Sequence, residues 1–280
     1  MNKKFDIDLT DKVITITGAG GVICGGIARE LAKSGAKIAL LDLNEEAGNA
    51  VAMDIVNCGG VAKAYKCNVL EKASIAECHD KILKDFGKTD ILINGAGGNN
   101  PRATTDNEFC SYEDMDIKDF FALDESGVRF VFDLNFLGTF LPTQVFAKDM
   151  IGRKGCSILN ISSMNAFTPL TKIPAYSAAK AGISNFTMWL AVHFAKVGIR
   201  VNAIAPGFFV TNQNRGLLFD KEGNPTARTN KILNATPMGR FGEISELMGA
   251  TKLLISEDEA SFITGVVLAI DGGFNAYSGV

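Results

Sequence analysis

The stretch VITITGAGGVICGGIARELAKSGAKIALLD, residues 13–42, decides the fold. It opens on five β-branched residues, passes through a glycine-rich turn, carries a helical period over residues 23–34, and ends on a second apolar run, KIALLD (37–42). Strand, glycine turn, helix and strand in that order make a βαβ unit, whose two strands lie parallel.

Working outward, the same rhythm continues. A helical period near 44–57 leads to VAKAYKC (61–67), one near 71–86 to TDILIN (89–94), and one near 126–150 to CSILNIS (156–162). A helical segment near 175–197 then precedes IRVNAIAP (199–206), and GVVLAID (265–271) reads as a last strand. The strands carry Val, Ile and Leu on both parities, as expected when helices cover both faces of a parallel sheet. The reading is an α/β fold: a Rossmann-type, doubly wound parallel sheet of about seven strands in a single domain. No repeat, low-complexity tract or proline-rich linker marks a second domain.

Stretches 98–125 and 207–242 break the rhythm. Both follow strands, so both fall at the carboxyl edge of the sheet, where such folds bind ligands, and they are the expected substrate-covering segments. The first carries an acidic run (Asp106, Glu108, Glu113, Asp114, Asp116, Asp119, Asp124, Glu125) read as solvated surface.

With 280 residues, 47% apolar and 21% charged, the chain has room for a large core without disulfides or a structural metal. The formal charge of -3, with 28 scattered Lys and Arg, offers no basic face for nucleic acid. MNKKFDIDLT (1–10) lacks the apolar core of a signal peptide, and no later run approaches the roughly 20 apolar residues of a membrane span, so a cytosolic protein with no membrane partner is expected. Six cysteines (24, 58, 67, 78, 110, 156) form no C-x-x-C pair and are expected as free, buried thiols. Only His79 and His193 could join them as metal ligands, and both sit in helical patterns, so no metal site is expected.

The glycine turn holds the first chemical signal. Gly18, Gly20 and Gly21 let the backbone approach a pyrophosphate, and the helix opening at Val22 and Ile23 offers N–H groups to its charge, although a glycine-rich turn can also be only a tight turn. Asp42, some two dozen residues beyond Gly18, stands where a carboxylate accepts both ribose hydroxyls of an adenine nucleotide. It would repel a 2′-phosphate, and no Arg or Lys at 19–21 or 43–44 compensates, so NAD is expected over NADP.

The second signal is Tyr176 with Lys180, four apart in a helical segment and therefore on one face. A phenol with a pKa of about 10 is a poor base at neutral pH, and a neighbouring ammonium favours the phenolate. Ser163, just after a buried strand, could donate to a substrate oxygen. Asn135 is polar on a mostly apolar segment and needs partners if buried. Each of these is a weak signal alone.

Together these residues resemble the short-chain dehydrogenase/reductase family over nearly the whole chain. Thr17-Gly18 and the following glycines are similar to its nucleotide loop, with Val22 and Cys24 where that loop usually has Gly. Asn94-Gly95-Ala96-Gly97 resembles its segment after the fourth strand, Asn135, Ser163, Tyr176 and Lys180 its catalytic tetrad, and ITGVVLAIDGG its terminus. The resemblance implies Tyr176 as general acid/base, Lys180 as ribose ligand and tuner of Tyr176, Ser163 as orienter of the substrate oxygen, and Asn135 as holder of a proton-relay water. It implies nucleotide contacts from Gly18, Gly20, Gly21, Val22, Ile23, Asp42, Leu43, Asn68, Val69, Asn94, Ala96, Gly97, Tyr176 and Lys180. Asn68 stands where an adenine-contacting Asp is common. Pro206, Gly207, Phe209 and Thr211 resemble the segment that grips the carboxamide, and a homotetramer is implied.

Residues 97–105, 162–176 and 207–220 are similar to the family's D-mannonate oxidoreductase branch, which implies a sugar-acid substrate and the interconversion of D-mannonate and D-fructuronate. Arg102 and Arg215, with Asn99, Asn100, Asn165 and Gln213, and with Ser163 at the reacting oxygen, are the candidate substrate contacts, a charged fork and neutral donors suited to a hydroxylated carboxylate. Surface salt bridging is the other reading of both arginines. Gluconate, a polyol or a 3-oxoacyl thioester would be alternative substrates of the same chemistry, and an inactive nucleotide-sensing or scaffold protein is the alternative of a different class.

Overall fold

A computed structural model describes residues 7–112, 117–211 and 215–279. Seven strands form one all-parallel sheet in the order β3-β2-β1-β4-β5-β6-β7. They are β1 (Val13–Thr17), β2 (Lys37–Asp42), β3 (Val61–Lys66), β4 (Ile91–Asn94), β5 (Cys156–Ile161), β6 (Ile199–Pro206) and β7 (Val267–Ile270). The single α/β sheet expected from the sequence is present. The central strands β1, β4, β5 and β6 are buried at every position, which explains their unbroken apolar runs. At the edges β3 alternates between exposed and covered residues and β7 is half-buried, because each lacks a neighbour on one side.

Helices α1 (Val22–Ala32) and α2 (Glu45–Asn57) cover one face, joined later by α9 (Met248–Ile255). The other face carries α3 (Lys72–Asp85), α4 (Glu125–Phe132), α5 (Gly138–Met150) and α6 (Pro174–Phe194). Short helices α7 (Arg215–Leu218) and α8 (Ala227–Asn234) stand after β6, and α10 (Glu257–Ala260) follows α9. Two large cores result, with Leu31, Ile55 and Leu254 in one and Ile82, Phe146 and Leu190 in the other, and a small third cluster joins Ala103, Val131, Ala175 and Ala179. The chain works outward from β1 to β3, then returns to place β4 on the far side of β1, so a crevice opens at the carboxyl ends of β1 and β4.

Between α4 and α5 the helix relaxes into a π-helical turn, Asp133–Leu137. Such one-turn bulges re-aim side chains and recur at functional sites. The combined helix, Glu125–Met150, runs 26 residues and is long and apolar enough, by length and composition alone, to cross a bilayer. That departs from the sequence expectation, and the reason is packing: Val131, Phe146 and Met150 are fully buried, and a core helix lying on a sheet needs the same composition.

The cysteines divide. Cys24, Cys67, Cys78 and Cys156 are buried, whereas Cys58, capping the end of α2, and Cys110, within 98–125, are exposed, correcting the expectation that all six would be interior. His79 faces the Asp149 carboxylate at 3.1 Å, and His193 stacks on Trp189 with ring centroids 4.6 Å apart.

Candidate active site

The glycine turn is tied to the sheet at both ends. Gly18 has φ +65°, and a Cβ there would stand 2.8 Å from the Ala96 backbone, so a side chain is excluded on two counts. Thr17 at the end of β1 accepts hydrogen bonds from the N–H groups of Gly95 (3.1 Å) and Ala96 (3.2 Å), drawing the chain after β4 against the turn. Gly20 donates its N–H to Asp42 Oδ2 at 2.8 Å, and Asn44 donates to Oδ1 at 2.8 Å, so the carboxylate orients the loop it faces. Gly21 is the N-cap of α1. Among the described residues the N–H groups of Val22 and Ile23 have no partner, leaving orphan donors at the positive end of an eleven-residue helix. That is the donor set a pyrophosphate requires, and the residues present fit a dinucleotide.

Cys24 stands where the sequence reading noted a missing glycine. Its thiol occupies the volume that a Cβ on Gly95 would take, so the larger residue at one position is matched by none at the other. Burial pushes this thiol up to about 12, so it stays protonated and packs as an apolar group.

The expected nucleotide contacts separate into those that reach open space and those that support from within. Ile23, Gly97, Tyr176, Lys180, Pro206, Gly207, Phe209 and Thr211 line one cleft of about 780 Å³. Leu43 is 64% exposed beside Asp42. Asn68 accepts from the Leu70 N–H and donates to Glu71, while Val69 is buried against Gly138. Asn94 does not face the cleft with its side chain: it is buried and donates to Thr143 (3.0 Å) and Asn160 (2.9 Å). Its place there corrects the expectation of a direct contact, since a polar residue ending a central strand must find its partners inside the protein.

The four candidate catalytic residues come together from three elements. Asn135, in the π-helical turn, is fully buried and donates to the carbonyls of Gly98 and Val131 at 2.7 Å each, while its Oδ1 accepts the Gly98 N–H at 3.2 Å. Both side-chain donors are thereby spent, and the residue fastens the turn after β4 over the cleft. Ser163 caps the 3-10 turn Met164–Ala166. Tyr176 and Lys180 share the cleft-facing side of α6, with the ammonium 5.6 Å from the ring centroid.

Lys180 is buried and donates from Nζ to the Ile161 carbonyl at 2.8 Å. Burial brings its ammonium down to about 8. Tyr176 moves the other way: burial pushes its phenol above the usual range, and only Ser163, hydrogen-bonding to it, pulls it back. Desolvation therefore dominates at the phenol, rather than any help from Lys180.

The candidate substrate contacts fare unevenly. Asn99, Ser163 and Asn165 line the cleft, and Asn165 Oδ1 is buried beneath its surface without a partner. Asn100, Arg102 and Arg215 do not line it. Asn100 caps a 3-10 turn by accepting from the Arg102 N–H, and the Arg102 guanidinium turns outward to Ser126 and Asp124. Arg215 lies over the Phe219 ring. Gln213 lies outside the described residues, as do Glu113, Asp114 and Asp116 of the acidic run. Two charged residues lining the cleft were not foreseen as contacts: Asp106, assigned to the solvated acidic run, and Arg228 on α8. Both lie in stretches without a readable period, so no sequence pattern pointed either side chain toward the cleft.

Comparison with known proteins agrees with this arrangement. The family model described as short chain dehydrogenase matches residues 12–221. An oxidoreductase of Haemophilus influenzae is 64% identical, aligned over 100% of this chain and 99% of its own, and the oxidoreductase UxuB of Bacillus subtilis is 50% identical over 98% of each. A crystal structure from Haemophilus influenza, of a protein provisionally named a D-mannonate oxidoreductase and with bound NAD, superposes with a TM-score of 0.95 at 65% identity over 98% of both chains. The glycine turn on β1, the Tyr176–Lys180 pair on α6 and these alignments over the full length lead to one statement: the chain belongs to the short chain dehydrogenase family and is an oxidoreductase acting on CH–OH groups.

Proposed function

We propose that this oxidoreductase uses NAD(H) to interconvert a secondary alcohol and a ketone on a sugar acid, with D-mannonate and D-fructuronate as its pair. The observation that carries the reading is a single cleft lined by Ser163, Tyr176 and Lys180 together with the polar Asn99 and Asn165 and the charged Asp106 and Arg228. The provisional name of the 65% identical neighbour supports the particular substrate.

In this reading Ser163 holds the substrate oxygen and Tyr176 removes the hydroxyl proton during oxidation, returning it during reduction. Bound nicotinamide supplies the hydride acceptor or donor. Lys180, held by the Ile161 carbonyl, keeps a cation below the developing phenolate, and Asn135 acts through Gly98 by fixing the turn that closes the cleft. Asp42 favours NAD: each oxygen retains a lone pair for a ribose hydroxyl, while a 2′-phosphate would meet its negative charge.

A cytosolic homotetramer belongs to the same proposal. The exposed free thiols Cys58 and Cys110 suit a reducing compartment, and the apolar Met188, Trp189 and Val192 exposed on α6 suit contact with another copy. The test is a panel of D-mannonate, D-gluconate, neutral polyols and acetoacetyl thioesters, each run with NAD and NADP in parallel. D-Mannonate with NAD should exceed every polyol and thioester in kcat/KM by about tenfold or more. A polyol or thioester as best substrate, or NADP equal to NAD, would reject the assignment, and NADH binding without turnover would favour the sensing alternative.

A further inference from the structure

The cleft that holds Tyr176 shares lining residues on one side with a second hollow of about 490 Å³, lined by Glu108, Lys172, Phe208, Arg228, Lys231 and Phe274 among others. Arg228 lines both. The second hollow brings three cations to one carboxylate, and that carboxylate, Glu108, is engaged by Lys231 at 2.7 Å. Lys172 is committed to the backbone carbonyl of Asp106 at 2.6 Å. Among the described residues Arg228 has neither an ion pair nor a hydrogen bond, although Asp106 lines the same cleft. On a chain of formal charge -3, this wall is locally positive and its guanidinium is unspent.

The position of Arg228 is well supported. It is the second residue of α8, whose N-cap Thr226 accepts from the Thr229 N–H and donates its hydroxyl to the Leu217 carbonyl at 2.9 Å. Thr229 and Ile232 are buried beneath it, so the helix start is clamped to the end of α7. Arg228 is itself exposed, and its planar fork on the wall of the cleft that Tyr176 lines can match a carboxylate bidentately.

We propose that Arg228 is the residue that recognises the substrate's carboxylate, the specificity-determining contact that separates sugar acids from neutral polyols. It replaces Arg102 and Arg215 in that role. The inference rests on the sugar-acid reading above.

The test uses the full-length enzyme with saturating NAD, comparing wild type with Arg228→Gln, Arg228→Lys and Lys172→Gln. Arg228→Gln should raise KM for D-mannonate by roughly 10- to 100-fold, as expected for a lost charged hydrogen-bond pair. Its kcat should stay within about threefold, and KM for NAD and for any neutral polyol the wild type oxidises should be unchanged. Arg228→Lys should recover part of the loss by charge alone, and Lys172→Gln should change KM by less than about threefold. If wild type oxidises D-mannonate and Arg228→Gln leaves its KM within about twofold, the assignment of Arg228 is wrong while the sugar-acid reading stands. A rise in KM for NAD with a parallel fall in thermal midpoint would also overturn it, marking a structural role. If wild type oxidises only neutral polyols, the sugar-acid reading fails and takes this inference with it.

Discussion

The floor of the cleft and its wall are built on opposite plans. On the floor, Asn135, Ser163 and Lys180 are 0%, 8% and 4% exposed, sit at strand ends or in long helices, and have hydrogen-bond partners inside the protein. Along the wall, segments 98–125 and 207–242 carry short helical turns, and Phe109, Phe120 and Phe121 are 79%, 69% and 84% exposed. Groups that carry out a reaction must hold position to a fraction of an ångström, so they are anchored in the sheet. Groups that select a substrate rest on connections that can vary without unfolding the core.

That contrast is open to attack in order of expected effect. The largest should come from the floor: Tyr176→Phe removes the phenol that lines the cleft and should lower kcat by roughly 1,000-fold, with NADH binding, read by fluorescence, within about twofold of wild type. Turnover within tenfold of wild type would mean that the reacting proton passes elsewhere.

Next comes a stability effect from the same floor. Lys180 is brought down to about 8 in the folded protein against an ordinary value of 10.5, so between those pH values the unfolded chain binds a proton that the folded chain does not. Stability therefore rises with pH across that window, relieving a charge-burial penalty that is fully present below about pH 8, by at most about 3 kcal/mol. Lys180→Met lacks this titration. The difference in denaturation midpoint between ligand-free wild type and the variant should shift in favour of wild type from pH 8 to pH 10, and two parallel curves would show that the ammonium is not desolvated.

The smallest effect is expected outside the cleft. Arg102→Ala and Arg215→Ala should each leave kcat/KM for the best substrate within about twofold, because one guanidinium faces Asp124 and Ser126 and the other lies over Phe219. A loss above tenfold in either would mean that the wall rearranges to bring that arginine inward.

The same division governs what could be read before any coordinates. The βαβ rhythm of residues 13–42 follows from burial on both sheet faces, and the glycines of the turn follow from the close approach of Ala96; both are local demands that leave local patterns. Tyr176 and Lys180 share a face because helical spacing is fixed. Arg102, Arg215 and Arg228 carry the same charge in stretches without period, and only the tertiary path of each loop decides which guanidinium turns inward. The inward orientation of Asn94 was equally illegible, since its partners Thr143 and Asn160 come from elements 49 and 66 residues away.

The close fit of Cys24 to Gly95 limits how this loop can be exchanged with those of relatives. Grafting a strand-four segment with alanine at 95 would need a smaller residue at 24 in the same step, and restoring glycine at 24 alone would open a void beneath the turn. The two positions should therefore behave as one unit in any chimera, each single change costing more than the pair.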